Sequence, residues 1–227
     1  LTLRVVADKG SRPTSLRNQP RTVRYVRIRT NTATAEPTTT KTATTTAKTT
    51  STTKTTTITA ETTITTTPNS DGLNRSEVER LVHRFVNRER TERALDPLVF
   101  DTELRKIVRS HSEDMATRGY FSHASPEGEN FADRYERSGY TCRAPTGDGS
   151  YLTGGENIAQ TWYDTAVTTD GGTVRHTTER ELARGIVNQW MNSQGHRENV
   201  LTPAWRNDGI GIYVAEKGKV YATQNFC

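Results

Sequence analysis

Two histidines and one glutamate stand out by where they fall. His123 follows Tyr120-Phe121-Ser122, just past one amphipathic stretch, and His196 follows Gly195 at the end of another. Both positions are expected in loops at helix ends, where a rigid scaffold presents functional groups. Glu156 follows Gly154-Gly155, and paired glycines let the backbone approach a neighbour closely. Histidine and glutamate are the residue types of proton transfer and polar recognition. Spacing alone makes no metal motif of them, since there is no HExxH and no short ligand pair. Of the other histidines, His83 lies off an apolar stripe and is expected at the surface. His176 sits in a polar loop with no evident partner. His111 falls on the inner face of a helix, where a lone histidine is as a rule a hydrogen-bonded core residue.

The elements that must position these residues begin near Asp71. Ser76-Glu77-Val78-Glu79 has the form of a capping box, with Ser76 as N-cap. Val78, Leu81, Val82, Phe85 and Val86 follow at helical spacing. Asp101 is expected to cap a second helix with Leu104, Ile107, Val108, His111 and Met115 inward and Gly119 at its end. Ser125-Pro126-Glu127 reads as the start of a shorter third helix carrying Phe131 and Tyr135. Residues 140–178 read as a long polar stretch, broken by a hairpin around Asp170-Gly171. Thr178 to Glu181 is a second capping box. It opens a helix with Leu182, Ala183, Ile186, Val187 and Trp190 buried, and Gly195 is expected to break it. Alternation over Ile210–Val214 and Val220–Phe226, around a turn at Glu216–Lys219, gives two closing strands. Helices and mostly antiparallel strands in this order predict an α+β sandwich.

The segment before Asp71 is different in kind. Residues 1–70 hold 11 Lys and Arg against 3 Asp and Glu, which leaves 20 against 23 for residues 71–227. The basic character therefore belongs to the N-terminal part. Residues 1–30 are a basic segment expected to lack fixed structure, although Thr22–Arg29 has strand period. Residues 31–70 form a linker in which Thr fills 22 of the 37 positions from 31 to 67. Such a segment cannot bury enough apolar surface to offset its ordering entropy, and Thr-rich tracts are the usual bearers of O-linked sugars on extracellular stalks. No eighteen apolar residues run together, so no span of a bilayer is expected; a leader or anchor would lie outside this sequence. The two cysteines, Cys142 and Cys227, form no CxxC pair. With an extracellular-looking stalk they suggest one disulfide, the alternative being two free thiols.

Five blocks, in order and spacing, carry a resemblance: His111-Ser112-Glu113-Asp114-Met115-Ala116, Phe121-Ser122-His123, Gly155-Glu156-Asn157-Ile158-Ala159, Trp190 through Arg197, and Gly209-Ile210-Gly211-Ile212. Residues 75–227 resemble the CAP superfamily, the group of cysteine-rich secretory proteins, antigen 5 and pathogenesis-related proteins, also called the SCP domain. The likeness is to its prokaryotic SCP-like branch. It implies a three-layer α-β-α sandwich with a central antiparallel sheet over residues 71–227, and a secreted or cell-surface location. It also implies a cleft holding His123, Glu156, Ser193 and His196. Ser193 stands where other members have a second acid.

That resemblance leaves three readings of the cleft. His123, His196 and Glu156 match a ligand set that zinc or another divalent metal accepts, weakly for want of a second carboxylate. The same residues also suit a metal-free hydrogen-bonded cluster, with Glu156 orienting a histidine. In the third reading Ser193 is a nucleophile, His196 its base and Glu156 the orienting acid. The expected function is a ligand-binding or interaction module for a lipid, glycan or protein. The alternative is a metal-dependent extracellular hydrolase of peptidase or esterase type. A monomer is expected. Nucleic acid is not an expected partner, although the basic N-terminal segment can contact an anionic surface.

Overall fold

Helix α1 (Arg75–Thr91) starts at Asn74, whose side chain accepts from the Glu77 N–H at 3.1 Å. In this computed structural model, residues 72–169 and 172–227 are described, together with the backbone of Arg27–Arg29. The capping box expected at Ser76 is therefore displaced, because tertiary partners claim both of its side chains. Ser76 Oγ accepts from Arg105 and Arg109, and buried Glu79 accepts from Arg105 Nε at 2.7 Å and Arg109 Nε at 2.6 Å. Charge-assisted bonds of this kind outweigh a neutral cap. The Ile212 N–H also donates to Glu79, at 3.3 Å.

Helix α2 (Thr102–Thr117) has Asp101 as its N-cap, and all five predicted inner residues are buried. Gly119 follows with φ +71. Helix α3 (Phe131–Arg137) begins later than expected, at an Asn130–Asp133 capping box. Ser125–Gly128 forms a turn instead, with Ser125 Oγ bonded to Glu127. Phe131 and Tyr135 do turn inward. Helix α4 (Glu179–Asn192) carries the predicted Thr178–Glu181 box and buries the predicted stripe. Its end is at Ser193 rather than Gly195, and a short helix α5 (Gln194–Val200) follows at once.

The main sheet has the order β2-β8-β9-β5, from β2 (Val99–Phe100), β8 (Asn207–Val214), β9 (Lys219–Phe226) and β5 (Gly155–Trp162). Its three long strands are antiparallel; β2 adds a two-residue parallel pairing to β8, so the sheet is mixed. Strand β5 was hidden in the stretch read as polar. Its polar residues come in adjacent pairs, Glu156-Asn157 and Gln160-Thr161, so it lacks strand alternation, yet six of its eight residues are buried. A hairpin of β6 (Val167–Thr169) and β7 (Gly172–Val174) forms around residues 170–171 as expected. Strand β4 (Ser150–Leu152) pairs with β3 (Ala144–Pro145) and with β1 (Arg27–Arg29). The expectations for the rest of residues 1–71 lie outside the described residues.

Helices α1 and α4 pack together over one face of the sheet, with Val82, Ile186, Trp190, Ile210 and Ala222 in one core cluster. Helix α2 covers the other face, and Leu104 and Ile107 join Phe131, Tyr135 and Cys142 there. Two glycines set the second spacing. A Cβ at Gly209 would stand 2.5 Å from the Arg105 backbone nitrogen, and one at Gly211 would stand 2.4 Å from that of Arg109. Helix α2 thus lies directly on bare strand backbone, and Ser112 Oγ donates to the Gly211 carbonyl at 3.0 Å. The result is the α-β-α sandwich. Cys142 and Cys227 are joined in a disulfide, with Cα atoms 5.5 Å apart. Among the described residues no helix is long and apolar enough to cross a membrane.

His83 corrects its expectation. Its Nδ1 lies 2.6 Å from Oδ1 of fully buried Asp208, and Gln224 donates to the other carboxylate oxygen at 2.9 Å. It is part of the packing of α1 on the sheet, because the Asp208 carboxylate, expected in no role, needs a partner once buried.

Candidate functional site

Glu156 sits at the second residue of β5, fully buried. Gly154 brings the strand in tightly: its φ is +127, and a Cβ there would stand 2.7 Å from Tyr135. Gly155 lies under the Trp205 ring, 3.1 Å from where its Cβ would be. The close approach inferred from paired glycines is thus real, and its partners are aromatic side chains of the scaffold.

The carboxylate of Glu156 is saturated. Oε1 lies 3.0 Å from His123 Nδ1. Oε2 accepts from Arg134 Nη2 at 2.6 Å and, in the orientation that satisfies its amide, from Asn225 at 3.0 Å. Arg134, from the buried side of α3, also donates to the carbonyls of His123 and Glu129. It pins the loop carrying His123 against β5. Burial by itself pushes the Glu156 carboxyl up, but the Arg134 charge, the His123 hydrogen bond and the charges of His111 and His123 overcome it and hold it at about 2.

His196 lies on α5, not in a loop. Its ring centroid is 6.4 Å from that of His123. An asparagine ladder holds α5 to β5. Asn157 donates to the His196 carbonyl at 3.2 Å. Asn199 donates to the Glu156 carbonyl at 3.1 Å and to Asn157 Oδ1 at 2.9 Å, and Trp205 Nε1 closes on the Asn199 carbonyl at 2.9 Å. Burial, and then the neighbouring His123, lower His196 to about 4. His111 also belongs here: its Nε2 is 3.9 Å from Glu156 Oε1. Burial lowers it, with Glu156 opposing and Arg134 reinforcing. The Nε2 atoms of His111, His123 and His196 are all buried without a hydrogen-bond partner among the described residues.

Of the four predicted cleft residues, Glu156 is hydrogen-bonded to His123, and His196 is beside His123. Glu156 orients His123, not His196. Ser193 joins α4 to α5 without a side-chain cap, and no hydrogen bond links it to His196. The Ser193–His196–Glu156 relay is not assembled. The metal set fares similarly. Arg134, His123 and Asn225 occupy the Glu156 oxygens, and among the described residues no three His, Cys, Asp or Glu gather closely enough to hold an ion. As placed, these residues do not fit a three-ligand metal site. Sequence reasoning missed Arg134, Asn157, Asn199 and Asn225. A charged residue on a short amphipathic helix, one asparagine on α5 and two inside strands carry no local signal. The one available cue was Asn157, inside the Gly155–Ala159 block.

Comparison with known proteins agrees with this fold and its motif blocks. Residues 83–226 match the cysteine-rich secretory protein family, designated CAP, and the chain belongs to that family. The uncharacterised protein YkwD of Bacillus subtilis is 34% identical over 149 residues, covering 66% of this chain and 47% of YkwD. The uncharacterised membrane protein YlbC of the same organism is 28% identical over 148 residues, covering 65% and 34%. An extracellular SCP-domain protein from Bacillus anthracis superposes with a TM-score of 0.50 at 24% identity, over 70% of this chain and 43% of that one. The chain spans less than half the length of each.

Proposed function

We propose that this chain is a secreted or surface-displayed ligand-binding module whose His123–His196 cleft recognises a polar group of a lipid, glycan or protein without chemical turnover. One observation carries this reading: Arg134 neutralises Glu156 inside the fold. A carboxylate held at about 2 is a poor general base near neutral pH, where catalysis favours a base of matching pKa. The same ion pair removes it from the pool of metal ligands. What remains available is imidazole. The Nε2 atoms of His123 and His196 are buried without a hydrogen-bond partner among the described residues, a capacity that a polar group entering between the two rings would use. The extracellular placement is supported by the described nature of the Bacillus anthracis protein and by the disulfide, a bond that persists in oxidising compartments.

The test uses the full chain and a His123→Ala, His196→Ala double variant. Both are titrated with zinc and assayed against peptide and ester libraries. The expected result is no turnover, and no zinc affinity above that of the double variant. Turnover that the double variant loses would replace the binding module by a hydrolase.

A further inference from the structure

A second cavity lies at the other end of β5, away from Glu156. It is an open groove of about 520 Å³ between β5, the β6–β7 hairpin and α4, with Asn188, Gln189 and Asn192 exposed to solvent, and its volume is within the ~300–1,000 Å³ typical of small-ligand sites. Its lining has an unusual chemistry. Gln160, Asn188, Gln189 and Asn192 contribute four carboxamides, and among the described lining residues there is no Asp, Glu, Lys or Arg, although a quarter of the chain is charged. Not one of these carboxamides hydrogen-bonds to another described residue. Three of them follow Gly185 along one stripe of α4, at helical spacing. Trp162 and the two hairpin valines add apolar surface. His176 completes the rim; its ring lies where a Cβ at residue 185 would stand, 2.5 Å away, so Gly185 is what admits it. Burial lowers His176, with Glu181 opposing, so the described lining residues carry no charge at neutral pH.

We propose that this groove is a binding site for an uncharged saccharide, separate from the histidine cleft. Each carboxamide offers two donors and an acceptor, the pattern that matches hydroxyls, which both donate and accept. Asn188 to Asn192 spans about 6 Å along the helix axis, on the scale of a single pyranose unit. An ionic ligand would lose its hydration and gain no counter-charge here. A lipid tail would leave four amides without partners. A sugar ring, with hydroxyls at its rim and C–H faces for the apolar lining, satisfies both halves of the groove. The inference does not depend on what the His123–His196 cleft binds.

The experiment follows the side-chain NH2 resonances of the isotopically labelled full chain during titration with chitotriose, cellotriose, maltotriose and mannotriose, and with triglycine as the uncharged peptide control. At least one trisaccharide is expected to shift the resonances of Gln160, Asn188, Gln189 and Asn192. An Asn188→Ala, Asn192→Ala variant should bind it about tenfold more weakly or worse, with an unfolding midpoint no lower than the parent's, because these side chains make no hydrogen bond in the fold and Ala is the better helix former. The site is refuted if no trisaccharide shifts these resonances, if the variant binds as well as the parent, or if triglycine binds as tightly as every sugar.

Discussion

Arg134 and Glu156 meet directly: Nη2 lies 2.6 Å from Oε2, and both side chains are at least 97% buried. The pair is the hinge between structure and function. It fixes the His123 loop to the sheet and takes the chemistry out of the carboxylate. Breaking one side of a buried pair strands the other charge, which costs about 3–5 kcal/mol. Arg134→Met should lower stability to chemical denaturation by that amount. Adding Glu156→Gln should recover much of the loss. Equal stability of the single and double variants would show that the charge itself is not what matters.

Acid should weaken the fold in two steps. His196 is lowered to about 4 from an ordinary 6.5, so the unfolded chain binds its proton first. Its contribution is complete above pH 6.5 and is lost as pH falls toward 4, and His111 acts in the same direction. For His196 the loss is on the order of 2–3 kcal/mol. Glu156 acts lower: its contribution is present above pH 4.5 and is lost as pH falls toward about 2. Stability measured against pH should therefore decline from 6.5 downward. His196→Gln should make the upper limb shallower and leave the lower one.

The Cys142–Cys227 bond closes a sequence separation of 85 residues. Reducing it, or substituting Cys227→Ser, should cost about 2–4 kcal/mol. Denaturation curves with and without reductant should separate by this margin, and superimposable curves would contradict it.

Gly211→Ala places a methyl group 2.4 Å from the Arg109 backbone nitrogen. Backbone on both sides leaves no flexible atom to yield, so α2 must lift from β8. A cost of at least about 1–3 kcal/mol is expected, read as a lowered denaturation midpoint. Gly209→Ala should behave alike.

Where local chemistry decided an element, the sequence was a sufficient guide. Asp101 and Thr178 cap the helices they were expected to cap, and the stripes of α2 and α4 are buried residue for residue. Ser76 and Glu79 show the opposite case. Their types are those of a capping box, but Arg105 and Arg109, distant in sequence, bind them more strongly. Strand β5 was invisible because Glu156, Asn157, Gln160 and Thr161 look like a loop; their burial is imposed by helices that only the tertiary fold brings there. The site was legible in the same proportion. The family blocks located His123, Glu156 and His196. The partner of each, and hence its chemistry, depended on Arg134 and His111, which announce themselves only once α2, α3 and β5 are packed.

Glu79 has one more consequence. Strand β8 is flanked by β9 along nearly its whole length, but on its other side β2 pairs only with Asn207 and Asp208. An unpaired strand flank is a template on which a second molecule can add its own strand. Here the free N–H of Ile212 is already engaged by a buried carboxylate, and that carboxylate is held in place by two arginines. The ion pair therefore occupies a donor on this flank of β8 as well as fastening α1 to α2. Glu79→Ala should produce concentration-dependent oligomers in sedimentation experiments, and a variant that stays monomeric at high concentration would show that α1 alone is a sufficient shield.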